Sequence, residues 1–174
     1  EDTGQFEHIH FDEDQLKEIK FAALMHDIGK ITTPEYVIDK STKLETIYDR
    51  IHTVESRFEI LKRDAYIQYL EQKNAINDSV LLQEIETKYN EAIKELDAEI
   101  DFLKSANVGG EFFSDENIQK IHLIAQRTIR LNGIVEPILS EDEVANLTVQ
   151  KGTLTYDQRM IINNHARVTL RMLE

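Results

Sequence analysis

The stretch Ala23-Leu-Met-His-Asp-Ile-Gly-Lys30 sets a histidine and an aspartate side by side at the end of an apolar run and follows them with a glycine and a lysine. On a helix His26 and Asp27 point about 100° apart, and Lys30 lies four residues from one and three from the other, so all three crowd one sector. Such a sector can hold a metal ion and an anion together. Imidazole and carboxylate suit iron, manganese, zinc or similar ions, a carboxylate can bridge two of them, and a lysine can meet a phosphate. Gly29 lets a second backbone or a ligand come close. A bare His-Asp pair would read as a core histidine beside a helix-end aspartate paired with Lys30. The complete string, with apolar residues ahead of it, reads as a metal site or the descendant of one.

Composition narrows the chemistry further. The chain has 174 residues, enough for one domain with a real core, and it has no cysteine, so any metal must be held by His, Asp or Glu. A formal net charge of −13 opposes the counterion release on which binding to long DNA or RNA depends. A small phosphorylated ligand stays open, because a metal and one or two lysines can reverse the sign locally. There is no run of about 18 apolar residues and no basic-then-apolar leader, so no membrane contact by this segment and a cytoplasmic location are expected. Tyr156 to Glu174 carries apolar residues at helical spacing without a stop signal. It reads as an interrupted helix, and the chain as part of something larger.

Helix signals run through the chain, and only two prolines and six glycines interrupt them. Asp12 with Gln15 resembles a capping box, followed by Leu16, Ile19, Ala23 and His26 at three- and four-residue spacing. This helix is expected to end near Gly29, before Thr33-Pro34 forces an extended turn, and Tyr36 to Lys43 reads as a loop. One seam then runs Ile51, Val54, Phe58, Leu61, Ala65, and a second runs Leu82, Ile85, Tyr89, Ala92, Leu96, Ile100, Leu103, with a polar break at Asn74 to Asp78. Two arms of roughly 40 Å each, joined by a short loop, make an antiparallel hairpin that is expected to be removable without harm to the core. Ser114 can cap a helix carrying Ile118, Ile121 and Ala125 and ending by Gly133. Ser140 with Glu143, and Thr155 with Gln158, repeat the capping signature. No alternating strand pattern of useful length is visible, so the class is all-α.

The string His26-Asp27-Ile28-Gly29-Lys30, then Pro34, then Lys40-Ser-Thr-Lys-Leu44 resembles the HD superfamily of metal-dependent phosphohydrolases, and specifically its HD-GYP branch. The resemblance implies an HD-domain-like helical core, here residues 11–44 and 111–174, with the long antiparallel helical hairpin inserted at about 45–110. The whole of 1–174 is then a single partial HD-GYP-like domain. It also implies a ligand histidine after a Lys-Leu loop. His52 follows Leu44 by eight residues, but Lys151-Gly-Thr-Leu-Thr155 followed by Asn164-His165 is the better match, with eleven residues from Leu154 to His165. Ile161, Val168, Thr169 and Met172 are expected to put His165 on the buried side of its helix.

On this resemblance the metal ligands are His26, Asp27 and His165, with Asp27 bridging ions and the histidines terminal. Asp27 and Lys30 are the catalytic residues, Lys30 stabilising negative charge. The implied cofactors are divalent ions, iron or manganese first, and the implied substrate of the intact protein is a cyclic dinucleotide, cyclic di-GMP. The branch's upstream ligand histidine, its paired histidines and its Gly-Tyr-Pro signature are not present. His8 and His10 lie too near the pair, and His122 reads as an ordinary helix residue. Two other readings stay beside the phosphodiesterase: a catalytically inactive helical signalling or interaction module, and an HD hydrolase acting on another nucleotide; on any of them the hairpin could form a homodimer.

Overall fold

The computed structural model describes residues 10–76, 78–110 and 112–174. Eight helices and one small β-hairpin occur among them: α1 (Glu13–Met25), a 3₁₀ turn (Ile28–Thr32), α2 (Glu35–Ile38), α3 (Ile51–Ala75), α4 (Ser79–Asn107), α5 (Asp115–Ala125), β1 (Thr128–Leu131), β2 (Ile134–Pro137), α6 (Glu141–Leu147), α7 (Tyr156–Asn163) and α8 (His165–Leu173). The fold is helical, with only the two-stranded sheet added. No helix among the described residues is long and apolar enough to cross a membrane.

The chain divides into two compact units: the described residues up to Ile38 together with Asp157–Glu174, and Asp39–Tyr156. In the first, Asp12 caps α1 through a capping box, accepting from the Gln15 amide at 2.8 Å while the Gln15 side chain accepts from the Asp12 amide at 3.0 Å. The helix ends at Met25, earlier than the apolar spacing suggests, because the backbone tightens at Asp27 into the 3₁₀ turn that α8 packs against. Residues 36–43, expected as loop, begin inside the short α2, which follows Pro34. The segment from Tyr156, expected as one helix, breaks at Asn164 into α7 and α8. The ring of His165 takes the carbonyl of Ile162 at that break.

In the second unit the two seams pack as an antiparallel pair. Ion-pair and ring partners climb α3 as they descend α4: Glu55 with Lys104, Lys62 with Asp97, Tyr69 with Tyr89. Asp78 caps α4 by accepting from the Val80 and Leu81 amides. Only the basal halves are buried. Ile51, Val54 and Phe58 from α3 and Leu96, Ile100 and Leu103 from α4 join Ile121, Ile124, Ile129, Ile138, Leu139 and Leu147 in one core. Each such side chain contributes about 1.5–3 kcal/mol of burial. The hairpin is therefore the floor of this unit's core, which corrects the expectation that all of it could be removed harmlessly.

The β-hairpin is a second correction. Its turn residues Asn132 and Gly133 have φ of 52° and 81°, and two successive positive-φ residues between paired strands are the mark of a type I′ turn. Arg130 pairs with Val135 and Leu131 with Ile134 across it. The helix capped by Ser114 consequently stops at Ala125, well short of Gly133.

Candidate metal centre

Within the first unit, the end of α1 and the start of α8 bring His26, Asp27, Lys30 and His165 together across 138 residues of chain. Nε2 of His26 stands 3.3 Å from Asp27 Oδ2, and Nε2 of His165 stands 3.3 Å from Asp27 Oδ1. The Lys30 ammonium donates to Asp27 Oδ2 at 2.7 Å. Asp27 thus receives one imidazole on each oxygen and a cation beside one of them. The Lys30 hydrogen bond, opposed by partial burial and assisted by the charge of His26, holds the Asp27 carboxyl below the usual carboxylate range.

Both rings are oriented from behind. His26 Nδ1 lies 2.7 Å from the carbonyl of Ala23, and His165 Nδ1 contacts the carbonyl of Ile162. A carbonyl only accepts, so each Nδ1 carries the hydrogen and donates it. The lone pair of a neutral ring then lies on Nε2, aimed at a carboxylate oxygen that is itself an acceptor. A proton or a metal ion between ring and carboxylate would turn this contact into an attraction. Imidazoles that donate the far N–H to a backbone carbonyl are also the form in which histidine ligates metals.

Each ring–carboxylate spacing matches that of two ligands sharing one divalent ion. Two ligands each about 2.1 Å from one ion, at right to tetrahedral angles, stand roughly 3.0–3.4 Å apart, and both nitrogen–oxygen contacts fall within that span. Still, the histidines flank opposite oxygens and the Lys30 ammonium lies against one of them. Among the described residues no group of three or more His, Asp or Glu side chains stands ready as an ion cage. The site is also open: the side chains of His26, Asp27 and Lys30 are 67%, 39% and 39% exposed, and only His165, at 20%, is mostly covered. Of the neighbours expected to bury His165, Thr169 is buried, whereas Ile161 and Met172 are exposed.

The remaining histidines lie elsewhere. His52 pairs with Glu55 on α3, His122 is exposed on α5, His10 is exposed ahead of α1, and His8 falls outside the described residues. The Lys40-Ser-Thr-Lys-Leu44 loop serves its own unit. Lys40 donates to the Asn146 side chain at 2.7 Å, and Lys43 donates to the carbonyl of Leu147 at 2.8 Å while lying 3.9 Å from the centre of the Phe113 ring. Burial pushes the Lys43 amine down to about 8.

A family model of the HD domain matches residues 3–101. The chain belongs to the HD domain family. The matched stretch contains His26, Asp27 and Lys30 and ends within α4, so His165 joins them by geometry alone. No curated protein and no solved structure matches the chain. HD domains generally bind divalent metals, and membership suggests a metal-dependent phosphohydrolase in general.

Thr169 was legible only as an apolar-face neighbour of His165. Its hydroxyl accepts from the Gly29 amide at 3.0 Å and donates to the His26 carbonyl at 3.1 Å. A threonine four residues after a ligand candidate, on the same helix face, is the one local signal that could have singled it out.

Proposed function

We propose that this HD domain carries part of the active site of a metal-dependent phosphodiesterase of the HD-GYP type, with cyclic di-GMP as substrate of the intact, cytoplasmic protein. The supporting observation is the pair of imidazoles whose Nδ1 atoms are tied to carbonyls while both Nε2 atoms face the Asp27 carboxylate at 3.3 Å. His26 and His165 would be terminal ligands and Asp27 the carboxylate shared between ions, iron or manganese in kind. When bound, divalent ions would supply charge neutralisation and would acidify water for attack on phosphorus.

The chain's own groups do the rest. Asp27 stays ionised under the influence of Lys30, so it is ready as a ligand without first losing a proton. Lys30 uses one N–H on Asp27 and retains two donors for a phosphoryl oxygen, where it stabilises developing negative charge. The backbone carbonyls of Ala23 and Ile162 keep both rings in the tautomer that presents Nε2. Three protein donors leave ligand positions unfilled, so residues 1–174 alone should hold metal incompletely and turn over little.

We read residues 45–110 as an insertion between core parts 11–44 and 111–174. The return of α8 to the 3₁₀ turn near the His-Asp pair supports joining the two ends of the chain in one part, whereas residues 112–156 pack with the hairpin. The lack of a ready ion cage among the described residues favours a second reading, in which catalysis has been lost and the α3–α4 hairpin acts as a signalling module, self-associating through its distal half. Incubation of the chain and of a longer protein containing it with Mn²⁺ or Fe²⁺ and cyclic di-GMP separates these. Linear product from the longer protein, lost in Asp27→Ala, is expected. Turnover of a different nucleotide only would replace the substrate, and no turnover of any nucleotide would leave the module reading standing. Robust turnover by residues 1–174 alone would show that the ligand set here is complete.

A further inference from the structure

We infer that Thr169 is the positioning residue of this site, a hydroxyl clamp that sets the register between the His-Asp pair and the helix carrying His165. The inference rests on the metal-site reading above and concerns how that site is held together.

Three observations converge. Thr169 is 5% exposed, whereas α1 and α7 have no buried residue and the large apolar side chains of α8 stay open to solvent. Packing alone is a weak source of precision here. Its hydroxyl makes two bonds: it accepts from the Gly29 amide at 3.0 Å and donates to the His26 carbonyl at 3.1 Å. It thereby closes a bridge over the backbone of the two residues that lie on either side of Asp27-Ile28. Finally, Gly29 has no room for a side chain, because an added Cβ would stand 2.2 Å from the His165 carbonyl oxygen and 2.7 Å from the Thr169 amide nitrogen. Helix α8 thus meets the turn backbone to backbone, and Thr169 supplies the directional bonds at that meeting.

His165 and Thr169 are one helical turn apart and share a face. Fixing Thr169 on the His26 carbonyl and the Gly29 amide therefore fixes where His165 Nε2 falls relative to Asp27 Oδ1, now 3.3 Å away. Removing the hydroxyl leaves a buried amide and a carbonyl without partners, and the helix is then free to slide or tilt. Serine can make both bonds. Valine, which keeps the branched shape, can make neither.

The test uses the full chain with Thr169→Val and Thr169→Ser, each first compared with wild type by far-UV circular dichroism. Two readouts follow: amide hydrogen exchange at Gly29, and Mn²⁺ affinity from the electron paramagnetic resonance signal of the free ion. Thr169→Val is expected to lose Gly29 protection and to weaken Mn²⁺ binding by about 10–100-fold, as loss of a supporting partner around a metal site does. Thr169→Ser is expected to restore both. Unchanged Gly29 protection in Thr169→Val overturns the clamp, as does a Thr169→Ser chain that binds Mn²⁺ as poorly as the valine variant. Should the valine variant fail to fold, the serine variant alone decides: it must match wild type. If wild type binds no Mn²⁺ that Asp27→Ala removes, the metal reading fails, while Gly29 exchange still judges the clamp.

Discussion

Replacing Gly29 with alanine is the smallest change that should take the first unit apart. The new methyl would lie 2.2 Å from the His165 carbonyl oxygen, against 3.4–4 Å for ordinary contact, and 2.7 Å from both the amide nitrogen and the hydroxyl oxygen of Thr169. Two of these three atoms are backbone and cannot rotate aside, so α8 must back away by roughly 1 Å, enough to break the 3.0 Å and 3.1 Å bonds of the Thr169 hydroxyl. Overpacking of this kind costs about 1–3 kcal/mol, and each partner left unsatisfied costs about 1–3 kcal/mol more. Summed over the clash and the two unsatisfied partners, a loss of about 3–9 kcal/mol follows, comparable with the whole stability of a small domain. Hydrogen exchange should show α8 and the 3₁₀ turn unprotected in Gly29→Ala while α3 and α4 stay protected. Gly110→Ala is the control, since a Cβ there meets nothing within 4 Å. Should Gly29→Ala exchange and melt like Gly110→Ala, the close approach of α8 to the turn is wrong.

Other consequences concern the second unit. The Lys43 amine is lowered to about 8 in the folded chain but titrates near 10.4 unfolded, so between those values the unfolded state holds the extra proton and stability rises with pH. The slope approaches about 1.4 kcal/mol per pH unit, urea midpoints at pH 7, 8.5 and 10 should record it, and Lys43→Met should flatten it. Deleting residues 66–91 with a short linker should spare the core. Deleting 62–104 should unfold the unit by circular dichroism, because it removes the buried Leu96, Ile100 and Leu103.

Long-range periodicity was the most readable feature of the chain. The seams of α3 and α4 repeat at three and four residues over many turns, and their partners pair along both helices as the spacing requires. The four-residue strands β1 and β2 are too short to show an alternation, and the sign of their presence was the Asn132-Gly133 dipeptide, a turn signal rather than a strand signal. The break between α7 and α8 was hidden because apolar spacing continues across Asn164, and the ring of His165 contacts the Ile162 carbonyl at that break. At the site, His26, Asp27 and Lys30 were readable from spacing within one turn. His165 came from resemblance, since nothing local to residue 165 marks a partner at residue 27. The clamp by Thr169 was unreadable for the same reason: its bonds join residues more than 100 positions apart and depend on how α8 docks.

The most direct test of the metal site is a Mn²⁺ titration of the full chain, followed by the electron paramagnetic resonance of the free ion, for wild type and for Asp27→Ala, His165→Ala and His52→Ala. Wild type and His52→Ala should bind alike, and Asp27→Ala and His165→Ala should each weaken binding by at least about tenfold. Equal Mn²⁺ binding by wild type, Asp27→Ala and His165→Ala would contradict the assignment.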